Sequence, residues 1–392
     1  MRSSKGAHYV DNAAKQDYSV SIVRCDDYGS VYEGYQKALE PLGGMRAFVK
    51  KDFTVAIKPN LILPMKPEAG GTTHPDAIRA VIRLVREAGG IPKIVESPGG
   101  PNTTVFVKSV FNGCGITKMA KEEGVEISYD METVEVDVPH GKNLRKIQIL
   151  KSLVDADLII NMPKPKPHGM MLYTGAVKNM FGAVAGTKKM DFHFRQSNYD
   201  DFANSLIDIF LAVKPGLQLM DAVITMHKKG PSSGDPIHTG FLMAGANAFA
   251  MDLVVLEILR ADWSKVYLIE QAIQRGLCPK NVCDVKVFFE GDVLTDLLPA
   301  YVEGYIIPMA NERKVMEIFA KMPKWMEFVV RTRPVFSKKK CKKCKICVQS
   351  CPANCLVLEE KAPKVDLKKC IRCYCCEELC PHKAVAIKRF IF

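Results

Sequence analysis

Long apolar runs are missing from this 392-residue chain. No stretch approaches the roughly 18 consecutive apolar residues of a membrane-spanning helix, which excludes a multispan membrane protein. The opening segment, MRSSKGAHYVDNAAKQD, lacks the apolar core of a secretory leader, so the expectation is a cytoplasmic protein. No G-x-G-x-x-G follows a strand-like run and no Walker A sequence occurs, which removes two common phosphate-cradling loops. No H-E-x-x-H marks a helical metal site. What is present is ordinary for a globular protein: 47% hydrophobic and 25% charged residues. That balance excludes disorder and fibrous repeats. The length suggests two or three domains.

The net charge of +12 is concentrated rather than spread. Residues 331–392 hold 16 Lys and Arg against 5 Asp and Glu, while the rest of the chain holds 39 against 38. Ten of the 14 cysteines lie between Cys341 and Cys380. Two compositions imply two domains. We expect an α/β domain over residues 1–310, a helix and linker over 311–334, and a cysteine-rich domain over 335–392. The basic tail has only Phe336 and Tyr374 near its cysteines, too few stacking aromatics for a nucleic-acid platform.

The tail repeats with a period of 29 residues. Cys341, Cys344, Cys347 and Cys351 precede Pro352; Cys370, Cys373, Cys376 and Cys380 precede Pro381. Each half reads C-x2-C-x2-C-x3-C-P and resembles the ligand run of two-cluster bacterial-type ferredoxins. That resemblance implies two [4Fe–4S] clusters. One would sit on Cys341, Cys344, Cys347 and Cys380, its partner on Cys370, Cys373, Cys376 and Cys351. Zinc ribbons and disulfides are the alternatives, but zinc knuckles use paired C-x2-C units and disulfides are rare in cytosolic chains. Cys355 reads as a small apolar packing residue and Cys375 as a spare thiol. Lys338, Lys339, Lys340, Lys342, Lys343 and Lys345 would offset the clusters' negative charge and steer an acidic partner such as a ferredoxin. A merely solvated face is the competing reading.

Before the tail, short β-branched runs alternate with amphipathic stretches. Strands are expected at Val55–Ile57, Ile91–Glu96, Asp157–Asn161, Leu217–Ile224 and Asp284–Phe289, with helices over 75–88 and 249–260. The pattern predicts a mostly parallel sheet with helices on both faces. Residues 125–149 read as an antiparallel insertion. Ligands of such sheets bind at the carboxyl ends of the strands, where Lys58, Lys164, Lys166, Lys178 and Lys188 fall. Together these lysines point to a small anionic ligand. The helix starts after His74 and at Gly175 offer free N–H groups for it, and Gly230 to Gly234 a backbone nest. His74 and His168 are candidate proton donors, with His193 a further candidate ligand or acid.

The segments VAIKPNLI, GGTTHPDAIRAVI, VESPGG, INMPKPKPHGMMLYTGAVKNMFGAV and DAVITMHKKGPSSGDP, in that order, resemble the family known as domain of unknown function 362, over about residues 50–260. The resemblance implies an α/β fold and association with iron–sulfur chemistry, and carries no reaction with it. Three functions follow as expectations. The leading one is an iron–sulfur oxidoreductase relaying electrons to a small anion held by Lys58, Lys164, Lys178 and Lys188. The others are a binding or electron-transfer protein without chemistry of its own, and a non-redox transferase or ligase-like enzyme with structural or regulatory clusters.

Overall fold

The computed structural model describes residues 17–101, 103–186, 189, 192, 198–294, 302, 304–307 and 332–388. Lys188, His193 and most of the expected linker, residues 311–331, lie outside these. The centre is a nine-stranded sheet in the order β13-β12-β1-β11-β10-β7-β2-β3-β4. Its strands are β1 (Val20–Arg24), β2 (Thr54–Lys58), β3 (Ile91–Val95), β4 (Glu126–Ser128), β7 (Leu158–Asn161), β10 (Leu217–His227), β11 (Asp235–Gly245), β12 (Val287–Phe289) and β13 (Asp292–Val293). The run from β10 through β7, β2 and β3 to β4 is parallel throughout. Antiparallel pairs join β11 to β10 and to β1. The architecture is α/β, as expected.

Period-two alternation explains the two cores. In β2, Val55 and Ile57 face one apolar cluster while Ala56 faces the other. The helix Pro75–Glu87 covers the first face with Ala77, Ile78, Val81, Ile82 and Val85, all buried. Burying side chains of this size stabilises by roughly 1.5–3 kcal/mol for each Val or Ile. Helices Tyr199–Val213 and Ala248–Ile258 cover the opposite face through residues such as Phe202, Ile209, Phe249 and Leu253. No helix among the described residues is long and apolar enough to cross a membrane.

Two expectations change. The strand through Leu217 continues to His227 and returns as β11, so Gly230 to Gly234 form the tip of a long hairpin. The apolar run FLMAG within β11 shows no alternation, because that strand is covered on both faces. Residues 125–149 are antiparallel only in part. β4 joins the parallel sheet edge, while β5 (Thr133–Asp137) and β6 (Lys146–Leu150) form a separate hairpin.

Candidate functional site: a lysine-lined cavity beside the cysteine repeat

Beyond the carboxyl ends of β2, β3 and β7 lies a cavity walled by residues from several loops. Centres of water-sized molecules have about 120 Å³ in it, roughly ten times the 10–15 Å³ that one water needs. A small hairpin above the sheet, β8 (Lys166–His168) against β9 (Leu172–Thr174), supplies much of its polar lining. Residues two apart on a strand share a face, so Lys166 and His168 project together, and register places Thr174 opposite Lys166. All three line the cavity.

A chain of buried amides positions this wall. Gln218 Oε1 accepts from Asn161 Nδ2 at 2.7 Å, Asn161 Oδ1 from Asn179 Nδ2 at 2.7 Å, and Asn179 Oδ1 from Asn60 Nδ2 at 2.7 Å. Asn60 Oδ1 then accepts from Lys166 Nζ, which also donates to the Gly71 carbonyl. The relay ties β10 and β7 to the loop after β2, and fixes an ammonium group at its end. Asn60, Asn161 and Asn179 stood in the KPN, INMP and GAVKN segments, but their partnership spans too much sequence to be read from spacing.

The lysines divide into two sets. Lys58 is fully buried and donates to Glu96 Oε2 at 2.6 Å. Burial pushes its ammonium down and the Glu96 carboxyl up, each partly offset by the other. Lys164 pairs with Asp221 at 2.8 Å and donates to Tyr28 Oη at 2.8 Å. These two lysines are already matched, Lys58 by a carboxylate of the cavity wall and Lys164 by Asp221 behind it. Lys166, Lys178 and Lys189 line the cavity itself, and none has a carboxylate within 4.0 Å among the described residues. Lys189 donates to the Ser97 and Pro98 carbonyls, and burial lowers its ammonium to about 7. Burial also lowers Lys166 and Lys178. Lys189, next to the expected Lys188, was not singled out in the sequence.

Both helix starts proposed as anion sites are filled from within. Asp252 accepts from Ala176 N at 2.6 Å and Val177 N at 3.0 Å, and Asp221 from His74 N at 2.8 Å. His74 itself caps its helix, Nδ1 accepting from Asp76 N at 3.2 Å, and stacks on Tyr28 at 3.6 Å. It is not among the residues lining the cavity. His168 is placed differently. Its Nδ1 accepts from Met170 N and Met171 N, both at 3.1 Å, so the neutral ring carries its proton on Nε2. Nε2 faces Glu378 Oε1 at 3.3 Å.

Glu378 belongs to the cysteine-rich tail, and its presence here was not legible in the sequence. The one-turn helix Cys375–Glu378 brings Cys375, Glu378 and Leu379 into the cavity wall. Gly230 and Gly234 sit in the hairpin tip that receives it. Ser232 Oγ donates to the Glu378 carbonyl at 2.6 Å, and Pro231 lines the cavity. Instead of a backbone nest for a free anion, the tip is a dock for the tail.

The tail's 29-residue repeat is structural as well. Helix Ile346–Gln349 recurs as Cys375–Glu378. Left-handed backbone recurs at Lys343 and Arg372, Lys345 and Tyr374, and Asn354 and Lys383, conformations uncommon outside glycine that gather at ligand clamps. Cys355 N donates to Cys351 Sγ at 3.4 Å and Ala384 N to Cys380 Sγ at 3.3 Å. Two small antiparallel pairs frame the unit, β14 (Arg333–Phe336) with β17 (Val385–Lys388), and β15 (Leu356–Leu358) with β16 (Pro363–Val365). Among the described residues no three His, Cys, Asp or Glu converge on a single-ion site, yet one void is lined by Cys351, Cys370, Cys373 and Cys376, with Cys355 and Cys375 beside them. Cys347 is pushed up to about 11 by burial first, then by Cys344, Cys380 and Cys341. Cys376 is raised by burial, then by Cys373, Cys370, Cys347 and Cys351. Each run therefore has the fourth cysteine of the other run among its neighbours.

Gly182 shows how tightly the cavity wall is built. A Cβ there would fall inside contact distance of both Glu96 Oε1 and Lys58 Nζ. Gly182→Ala is expected to force the buried pair apart, costing about 1–3 kcal/mol as overpacking does and lowering the melting temperature by several degrees. An unchanged melting curve would show that the wall yields freely.

Fold and site together define an α/β protein whose polar cavity, at the ends of parallel strands, is walled in part by a cysteine-rich repeat. The chain belongs to the family described as domain of unknown function (DUF362), which matches residues 55–257. The thylakoid-associated protein of Synechocystis sp. is 32% identical over 268 residues, covering 67% of this chain and 80% of that protein. Among solved structures, the lactate racemase apoprotein from Thermoanaerobacterium thermosaccharolyticum aligns at a TM-score of 0.39 and 15% identity. That alignment covers 59% of this chain and 56% of the racemase chain.

Proposed function

We propose that this chain is an iron–sulfur redox protein that binds a small anion in the lysine-lined cavity and exchanges electrons with it. The observation that carries the reading is the position of the helix Cys375–Glu378, which bears cysteines of the repeat and also walls the cavity. Cys341, Cys344, Cys347 and Cys380 would hold one [4Fe–4S] cluster and Cys370, Cys373, Cys376 and Cys351 the other. The donor set fits: soft thiolates, recurring N–H donors to sulfur, and a void lined by six cysteines, among them all four of the second set. Bound there, the clusters would supply electrons one at a time.

This chain's own residues would do the rest. Lys166, Lys178 and Lys189 hold the anion by charge, while Lys58 and Lys164 keep Glu96 in the wall and Asp221 behind it neutralised. His168, with its Nε2 proton directed toward the cavity-lining Glu378, is the candidate proton donor. Lys338, Lys339, Lys340, Lys342, Lys343 and Lys345 are all exposed around Cys344 and suit an acidic electron-transfer partner such as a ferredoxin. The tail and residues 1–310 would be separate domains that meet at the cavity.

Lys178→Met tests the link between cavity and clusters. Lys178 interacts electrostatically with Cys375 and Glu378. Losing its charge should lower a cluster's midpoint potential by on the order of tens of millivolts, the Coulomb effect of one charge about 10 Å away at an effective dielectric of about 20. Redox titration followed by electron paramagnetic resonance reads the shift, with Lys51→Met, exposed at the opposite end of the sheet just before β2, as the control. Identical potentials in all three proteins would refute electrical contact between the cavity and the clusters.

A further inference from the structure

We propose that the cavity selects a compact dianion that also carries a hydroxyl group, of the hydroxydicarboxylate or polyol-monophosphate kind. The inference rests on reading the cavity as an anion site, and adds the ligand's charge and its hydrogen-bonding chemistry.

Charge sets the first requirement. Lys166, Lys178 and Lys189 bring three ammonium groups to the wall, and Glu378 brings one carboxylate. The Lys58–Glu96 and Lys164–Asp221 pairs cancel internally, wherever their protons reside. With Lys166, Lys178, Lys189 and Glu378 all ionised, and the clusters' own charge set aside, the described groups leave two positive charges unmatched, a state that burial disfavours and that an incoming anion stabilises. In a partly enclosed site such an excess is far more costly than in water. A ligand with two negative charges closes the balance; one with a single charge leaves the site cationic.

The second requirement comes from oxygen atoms that have no hydrogen-bond partner. Glu96 Oε1 and Thr174 Oγ1 are buried without one among the described residues, whereas Glu378 Oε1 faces His168 Nε2 at 3.3 Å; all three residues line the cavity. An ionised carboxylate oxygen only accepts. A ligand made of oxyanions alone would set acceptor against acceptor at Glu96. A hydroxyl between its charged ends donates to Glu96 Oε1, and Thr174 can donate to or accept from the same group. Leaving such buried groups unmatched is what makes discrimination by a polar site strong.

Size sets the third. About 120 Å³ for water-sized centres suits a chain of a few carbons with two charged ends, and is too small for a dinucleotide. Leu61, Ile62, Phe181 and Leu379 give that short carbon chain an apolar surface.

The test is isothermal titration of the full, anaerobically purified chain with L-malate, succinate, L-lactate and glycerol 3-phosphate. Malate, glycerol 3-phosphate or both should bind roughly ten- to a hundredfold tighter than succinate, which lacks the hydroxyl, and lactate, which lacks a charge. Which of the two binds better separates a carboxylate ligand from a phosphate ligand. Lys189→Met should reduce the preference for two charges, and Thr174→Val the preference for the hydroxyl, with both variants melting cooperatively. Succinate binding as well as malate, or lactate as well as either dianion, overturns the proposal while leaving an anion site in place. Affinity untouched by both substitutions places binding elsewhere and overturns it too. A folded, cluster-loaded protein that binds none of the four overturns both this inference and the anion-site reading.

Discussion

Anaerobically purified protein should contain about eight irons and eight acid-labile sulfides per chain, and Cys344→Ala and Cys373→Ala should each lose about half of both. The expectation follows from two C-x2-C-x2-C-x3-C-P runs 29 residues apart, and from a fold in which each run has a cysteine of the other for its neighbour. Each substitution removes a thiolate from one set of four only. The remaining cluster should keep its visible absorption and its signal on reduction. The two losses should differ in their secondary effects. Cys373 neighbours Cys375, a residue of the cavity wall, whereas Cys344 is exposed among lysines. Cys373→Ala should therefore weaken binding of an anion probe such as malate, and Cys344→Ala should weaken transfer from an acidic donor. Stoichiometric zinc without sulfide would remove the iron–sulfur reading altogether. Loss of both clusters in either variant would mean that they assemble as one unit.

Lys58→Met should be the most damaging single change in the α/β domain, destabilising it by about 3–5 kcal/mol, as breaking a buried ion pair does. Lys58 is fully buried and Glu96 is 1% exposed, so the abandoned carboxylate is left without its counter-charge and away from bulk water. Its Oε2 loses the 2.6 Å bond to Lys58, and Oε1 already lacks a partner among the described residues. Replacing both members, Lys58→Met with Glu96→Leu, removes the stranded charge and should recover much of the loss. Chemical denaturation of the wild type, the single variant and the double variant measures this directly. A single variant as stable as the wild type would show that Glu96 simply takes up a proton. A double variant no better than the single one would assign the cost to packing. The double variant should also lose preference for a hydroxylated ligand, because Glu96 Oε1 is an acceptor in the cavity wall.

The sequence alone was sufficient for features set by short-range pattern. The period-two run at Val55–Ile57 became β2, the capped amphipathic run after His74 became Pro75–Glu87, and the 29-residue spacing became a structural repeat. Each depends on residues a few positions apart, where side-chain period and backbone preference act directly. Tertiary structure alone decided which charges remain available. Lys58 and Lys164 looked no different from Lys166 and Lys178, yet Glu96, 38 residues from Lys58, and Asp221 neutralise the first two. His74 and His168 were equivalent candidates until one capped a helix and the other turned toward Glu378. Gly230 to Gly234 read as a loop for an anion until the tail's Glu378 carbonyl met Ser232 across a separation of 146 residues. Charge pairing and burial are properties of neighbours in space, and the chain brings those neighbours together only after the sheet and the tail have packed.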